Sequence, residues 1–331
     1  MRSEPIPAPR GKVLITGASG FVGRHLVEEY ARNGWEIRAV VRSLATCNLD
    51  RTKVSEIVEV PDIAEVLDWA PLVHGCSVVA HLAARAHQVQ EAQDDGVVAF
   101  HRVNVAATAN LALVAANANV RRFLFVSSSG VMGDASQKPW MEDDVPNPQS
   151  AYAKSKLMAE QKVQSIAFQS DMEYVILRPA LVYGPGNPGN LARLIKLVGT
   201  GLPLPFKGIA GKRSMVNVNY LVQILVAAST LREATNQTYL VADGQDLTLS
   251  SIVQAFAEGL NVPVRLFNCP LSMLSLISNL VGKTAELQKL MGTFQISPQK
   301  LQCDFGIAPF LGAKESLAMT ANSFRREINN G

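Results

Sequence analysis

The chain has 331 residues, which at about 150 residues per domain predicts two structural units sharing a large core. With 48% hydrophobic, 18% charged and 6% aromatic residues it falls in the ordinary globular range, which excludes a collagen, a coiled coil or an extensively disordered chain. Lys plus Arg at 31 against Asp plus Glu at 28 leaves a net charge of +3, too even for a protein that binds by neutralising many phosphates, so nucleic acid is not an expected partner. The opening residues MRSEPIPAPRGK carry three prolines and no apolar run; they predict a frayed leader without a signal peptide, and hence a cytoplasmic protein. Four scattered cysteines, Cys47, Cys76, Cys269 and Cys303, include no C-x-x-C pair and predict buried free thiols with no metal site.

In chain order, residues 12–16 form a short β-rich apolar run, followed by a glycine turn and helical spacing over 21–33. Gly34 ends that helix, and strands are predicted at 36–41, 57–60, 78–84 and 123–127. An alanine-rich helix is predicted over 103–117, and a second over 150–169 after the proline-punctuated loop 139–148. Strands alternating with crossover helices imply a doubly wound parallel α/β sheet of the Rossmann type. A sixth strand covers 175–177, after which the texture changes. Residues 184–190 are loop chemistry, and Leu-Pro-Leu-Pro at 202–205 cannot be central sheet or helix interior. A dinucleotide-binding domain over 10–183 is therefore expected, then a smaller, mainly substrate-binding α/β domain over 184–331. A helix at 221–231 and a strand at 238–241 suggest that part of 216–245 returns to the first sheet. The uncharged apolar stretch 266–282 is interrupted by Asn268, Pro270, serines and Asn279 and falls short of the roughly 20 residues that span a bilayer. It reads as a buried helix or a membrane-facing one, and no transmembrane segment is expected.

Three features carry chemistry. Gly17, Gly20 and Gly23 stand at three-residue spacing on the first strand-to-helix turn, where glycine lets the backbone approach a pyrophosphate and the helix end stabilises its charge. Tyr152 and Lys156 lie four apart on one helix face; an ammonium there can lower a phenol's pKa and make it a usable acid or base, although such a pair alone is usually a solvated surface. Ser127, Ser128 and Ser129 end the fifth strand, where the carboxyl ends of a parallel sheet form a ligand crevice; alone they would more often cap a turn.

Taken together in this order, these motifs resemble the extended short-chain dehydrogenase/reductases, the NAD-dependent epimerase/dehydratase group. Val60-Pro-Asp62-Ile63, His81-Leu-Ala-Ala84, the Asn104 helix, Arg178-Pro179-Ala-Leu-Val-Tyr-Gly and the Arg213 segment extend the likeness over most of the chain. The resemblance implies Tyr152 as acid/base, Lys156 as the residue that holds the nicotinamide ribose and tunes Tyr152, and Ser128 as the substrate-bonding serine, although counting from Tyr152 could favour a neighbour such as Ser129. It implies a cofactor site built from Gly17, Ser19, Gly20, Phe21, Val22 and Gly23, with Asp62 and Ile63 at the adenine. Leu82, Ala83 and Ala84 would line it and Pro179 would cover the nicotinamide end. Asn190 and Arg213 would approach the diphosphate of a UDP-sugar, an ordinary surface salt bridge being the other reading of Arg213. A homodimer through the helices of Asn104 and Tyr152 is implied as well.

Two departures from the pattern matter. Where NAD-preferring relatives end the second strand with an acidic residue, this chain has Val40-Val41-Arg42-Ser43. A missing carboxylate beside a guanidinium favours the 2′-phosphate of NADP(H), with NAD(H) possible if Arg42 faces solvent. In Asn217-Val-Asn219-Tyr220 the family commonly shows an acidic residue near Asn219, which this chain lacks. The expected activity is hydride transfer at C4 of a nucleotide sugar: first, 4-keto reduction of a UDP-4-keto-6-deoxy-HexNAc in surface-polysaccharide precursor synthesis; second, a UDP-hexose or UDP-N-acetylhexosamine 4-epimerase. A dehydratase is disfavoured by Ser129-Gly130, where those enzymes carry an acidic residue. A non-catalytic NADP-sensing protein is the rival of another class, and peripheral association of residues 271–290 with a membrane or a glycosyltransferase complex could coexist with catalysis.

Overall fold

The computed structural model describes residues 11–65, 68–86, 94–270 and 292–329. The leader and the segment 271–290 lie outside the described residues, as does most of the apolar stretch 266–282. Eleven strands are described: β1 (Lys12–Thr16), β2 (Glu36–Val41), β3 (Glu56–Glu59), β4 (Val78–His81), β5 (Arg122–Val126), β6 (Glu173–Pro179), β7 (Leu181–Tyr183), β8 (Lys212–Arg213), β9 (Met215–Asn217), β10 (Gln237–Val241) and β11 (Leu247–Thr248). The helices among the described residues are α1 (Phe21–Arg32), α2 (Ala70–Val73), α3 (Asp94–Phe100), α4 (Ala107–Asn117), α5 (Ala151–Phe168), α6 (Asn190–Gly199), α7 (Val218–Ala228), α8 (Leu249–Leu260), α9 (Gln299–Phe305) and α10 (Ala313–Asn329).

Seven strands form one parallel sheet in the order β10-β6-β5-β4-β1-β2-β3. The period-2 alternation of side chains sends Val13 and Ile15 to a face covered by α1 and α7, and Leu14 to the face covered by α4 and α5. Burial on both faces explains why these strands read as continuous apolar runs. The chain reverses direction across the sheet between β1 and β4, and that switch point opens the crevice at the strand carboxyl ends. β10 pairs with β6 in parallel, so the chain returns to this sheet after leaving it. A separate core joins Tyr183, α6, α8 and α10.

Several elements differ from their sequence expectation. The strand expected over 78–84 stops at His81, where its neighbour β1 ends at Thr16, and residues 82–84 turn to line the crevice. The helix expected over 103–117 is preceded without a break by α3 from Asp94 and winds through π-helical turns at His101–Ala106, a wider winding often found at functional sites. The helix expected over 221–231 runs from Val218 to Ala228. Asn217 starts it early by accepting the Asn219 N–H at 2.9 Å, and Arg121 and Arg122 end it by donating to the carbonyls of Ala228, Ser229 and Leu231. Of the four free thiols only Cys76 is buried; Cys47 and Cys269 are half-buried and Cys303 is exposed, so the expected burial holds for one. The run Gly96–Asn117 is long and apolar enough to cross a membrane by length and composition. Here it packs Leu111, Ala112 and Ala115 into the sheet's core and buries the polar Asn104 and Thr108.

Candidate active site

The first strand-to-helix turn is closed by the Gly20 N–H donating to the Gly17 carbonyl at 3.0 Å. Gly17 holds φ +70°, and a Cβ there would lie 2.9 Å from the Ala83 amide nitrogen. A Cβ at Gly23 would overlap the Gly17 carbonyl oxygen, so the helix seats on the turn only because that position lacks a side chain. No side chain caps the start of α1 and no acidic residue occupies its first turn. Its amide groups and positive dipole end are left for an anion. Above this turn lies a crevice of about 650 Å³, lined by Gly17, Ser19 and Gly20, by Val40, Val41 and Arg42 after β2, by Asp62 and Ile63, and by Leu82, Ala83 and Ala84. This cradle, which side chains would fill and which is walled by valine, leucine and alanine together with the polar Ser19, Arg42, Asp62 and Arg102, fits a dinucleotide.

Arg42 is exposed at the rim of the crevice. Asp62 accepts the Ala64 N–H at 2.9 Å and pairs with Arg102 at 2.8 Å. Arg102 also lines the crevice and was not singled out from the sequence. Its only signal is its place two residues before Asn104, just ahead of the helix expected over 103–117.

At the ends of β5 and β6 a second group converges. Ser128 meets the Tyr152 hydroxyl in a hydrogen bond that pulls the phenol's pKa down, but burial outweighs it and pushes the phenol up to about 12. The expected lowering of this pKa by Lys156 is therefore not what the structure shows: desolvation dominates, and the phenol is held protonated. Lys156, one helical turn along α5, is 2% exposed. Its Nζ lies 4.1 Å from the centroid of the Phe125 ring, and burial lowers the ammonium to about 7 against the opposing pull of the Glu160 carboxylate. Of the three strand-end serines, Ser127 is buried and donates to Glu160, Ser129 is buried at 5%, and Ser128 touches Tyr152.

The two regions are joined by polar side chains. Asn104 Oδ1 accepts the Arg85 N–H at 2.8 Å, while its Nδ2 donates to the Arg85 carbonyl at 3.1 Å and to the Ser155 hydroxyl at 2.9 Å. Ser155 in turn donates to the Tyr152 carbonyl. Asn104 thus ties the crevice loop to the helix of Tyr152 and Lys156. His81 at the end of β4 lies between the hydroxyls of Thr16, at 2.7 Å, and Thr108, at 2.8 Å. Burial and Lys156 lower its pKa to about 3, so it is a neutral link between β1 and α4.

The remaining expected site residues fall outside the crevice lining. Phe21 and Val22 open α1 with side chains packed against the core, which leaves their amides as the groups facing an anion. Pro179 ends β6 opposite Val241. Asn190 is the exposed first residue of α6, and its carboxamide oxygen accepts from Arg193 at 3.3 Å. Arg213 in β8 donates to the Gly292 carbonyl at 3.4 Å and lies 5.9 Å from the centroid of the Phe294 ring.

Comparison with known proteins gives a consistent picture. The model of the NAD dependent epimerase/dehydratase family matches residues 13–242. A UDP-glucose 4-epimerase from Vibrio cholerae is 34% identical over 321 residues, covering 96% of this chain and 96% of that protein. An N-acetyl-alpha-D-glucosaminyl-diphospho-ditrans,octacis-undecaprenol 4-epimerase from Escherichia coli O157:H7 is 26% identical, covering 90% of this chain and 91% of its own. Among solved structures, MoeE5 in complex with UDP-glucuronic acid and NAD is 26% identical with a TM-score of 0.79, covering 96% of this chain and 100% of that one.

Proposed function

This chain belongs to the NAD dependent epimerase/dehydratase family, and from that premise we propose that it transfers a hydride at C4 of a UDP-sugar, with 4-keto reduction as the net reaction. The observation that carries the reading is the protonated Tyr152 phenol, held at about 12 and bonded to Ser128, which suits donation to a ketone oxygen. We assign residues 10–183, with part of 216–245, to dinucleotide binding, and most of 184–331 to the sugar nucleotide.

In this reading Gly17, Ser19 and Gly20 hold the pyrophosphate together with the first amides of α1. Asp62 and Ile63 meet the adenine, and Arg42 meets a 2′-phosphate. When bound, the dinucleotide supplies the hydride that C4 receives. Tyr152 gives its hydroxyl proton to the C4 oxygen while Ser128 donates a hydrogen bond to the same oxygen. Lys156, a helical turn away, stabilises the phenolate left behind by the field of its ammonium. Asn190 and Arg213 approach the sugar's diphosphate. Placement of both partners in a near-attack geometry accounts for about 7 to 11 kcal/mol of barrier reduction in such reactions. Exposed Val97, Leu113 and Met158 on α3, α4 and α5 support a homodimer through these helices.

The likeness to the Vibrio cholerae UDP-glucose 4-epimerase favours a second reading, C4 epimerisation with cofactor regenerated in each turnover. The Arg42 site favours the first, because an exchangeable NADPH pool serves net reduction. Incubation of the purified protein with UDP-Glc, UDP-GlcNAc and a UDP-4-keto-6-deoxy-HexNAc, each with NADPH or NADH, separates them. Consumption of reduced cofactor with the keto sugar alone supports reduction. Inversion at C4 without net consumption supports epimerisation, and neither change with any substrate refutes both.

A further inference from the structure

Glu160 is a carboxylate buried at 1% in the middle of α5, four residues beyond Lys156 and eight beyond Tyr152. Its oxygens gather three elements. Arg178, the next-to-last residue of β6, donates to Oε2 from Nη2 at 2.7 Å and to both oxygens from Nε at 3.1 and 3.2 Å. Ser127, the first residue after β5, donates its hydroxyl to Oε1. Arg178 also reaches the Met132 sulfur at 3.2 Å, in the short turn that follows Ser128. The charged and titratable groups around this carboxylate are Arg178 from β6, Lys156 on its own helix, and His81 from β4 beyond Lys156.

Packing alone does not call for such a group. Apolar side chains of similar volume usually stabilise a core as well as a buried ion pair, whose two charges must be stripped of water. What the pair adds is direction. Ser127 is one peptide from Ser128, and the planar trans peptide fixes the distance between their Cα atoms, so anchoring Ser127 narrows the positions open to Ser128. We propose that Glu160 is a positioning residue: its carboxylate, shared between Ser127 and Arg178, fixes the strand end carrying Ser128 against the helix face carrying Tyr152 and Lys156. The inference rests on the C4 hydride-transfer reading above and assigns the part that reading leaves open, namely what holds the hydroxyl pair in register. A misplacement of about 1 Å in such a pair is worth on the order of a hundredfold in rate.

Ser127→Ala tests this with little threat to the fold, because the Glu160–Arg178 pair stays intact. The expected result is a kcat about 10- to 100-fold lower, with KM for the UDP-sugar, the NADPH dissociation constant and the thermal midpoint all close to wild type. Ser127→Thr, which keeps the hydroxyl, should return kcat to within about threefold of wild type. A wild-type kcat in Ser127→Ala overturns the proposal. So does a loss of rate that Ser127→Thr shares and that follows the thermal midpoint, since that pattern marks packing. Crystal structures of wild type and Ser127→Ala with bound NADPH give a readout independent of turnover: the Ser128–Tyr152 contact should lengthen in the variant, and an unchanged contact overturns the inference. Should the wild type turn over none of the sugars, the functional reading falls, and the crystallographic comparison still decides what Glu160 positions.

Discussion

Replacing Lys156 by methionine should stabilise the protein while abolishing its reaction. The ammonium is 2% exposed, and its burial lowers the pKa from 10.5 to about 7. Every tenfold loss of proton affinity corresponds to about 1.4 kcal/mol, so near pH 7 the folded chain carries a penalty of about 4 kcal/mol for this one charge. Because the folded pKa lies below the unfolded one, the unfolded chain binds more protons between about pH 7 and 10.5. Wild-type stability therefore rises with pH across that window, and the penalty is complete only below it. Methionine keeps the unbranched stem over Phe125 and removes the charge, while Glu160 retains Arg178 and Ser127 as partners. Urea denaturation of the nucleotide-free proteins should show Lys156→Met ahead by about 4 kcal/mol near pH 7, with the gap shrinking to about 1 kcal/mol near pH 10. A variant no more stable than wild type near pH 7, or a gap that does not change with pH, would refute the electrostatic account of this lysine. Confirmation would place the residue among those that give up stability for function.

Other consequences are sharper in activity than in stability. Tyr152→Phe removes the proton proposed to reach the C4 oxygen and should cost a factor of about 10² to 10⁴ in kcat with NADPH affinity nearly unchanged; turnover near wild type would remove Tyr152 from the mechanism. Gly17→Ala forces a side chain into φ +70° and to within 2.9 Å of the Ala83 amide, so it should lose cofactor affinity and roughly 1 to 3 kcal/mol of stability; unchanged cofactor titrations would show that the turn is not where the phosphates rest. Arg42→Glu should weaken NADPH binding at least about tenfold more than NADH binding, as fluorescence titration with each nucleotide can measure; equal losses would count against a 2′-phosphate contact.

What could be read before folding was local. Three glycines on the turn of residues 17–23 announced themselves because the positive φ of Gly17 and the missing Cβ of Gly23 are constraints within one turn, and Tyr152 and Lys156 because spacing by four defines one helix face. Strand positions were legible for the same reason, since apolar runs persist wherever both sheet faces are buried. The boundaries that moved were set from afar: Arg121 and Arg122 end α7 from more than a hundred residues away, and β4 stops at His81 opposite Thr16, where β1 ends in the glycine turn.

The tertiary structure alone decided which strand-end serine meets Tyr152. Ser127 turns to Glu160 and Ser128 to the phenol, a distinction that three neighbouring serines do not carry in their spelling. It alone reversed the direction expected for the Tyr152 pKa, because desolvation depends on everything packed around the phenol whereas the expectation weighed a single neighbour. It also brought Arg102 to Asp62, Asn104 to Arg85, and Glu160 to Arg178. The physical reason is common to all of these: backbone preferences act over a few residues and can be read along the chain, but burial and the partnering of charges are properties of the surroundings, and those exist only once distant strands have closed on one another.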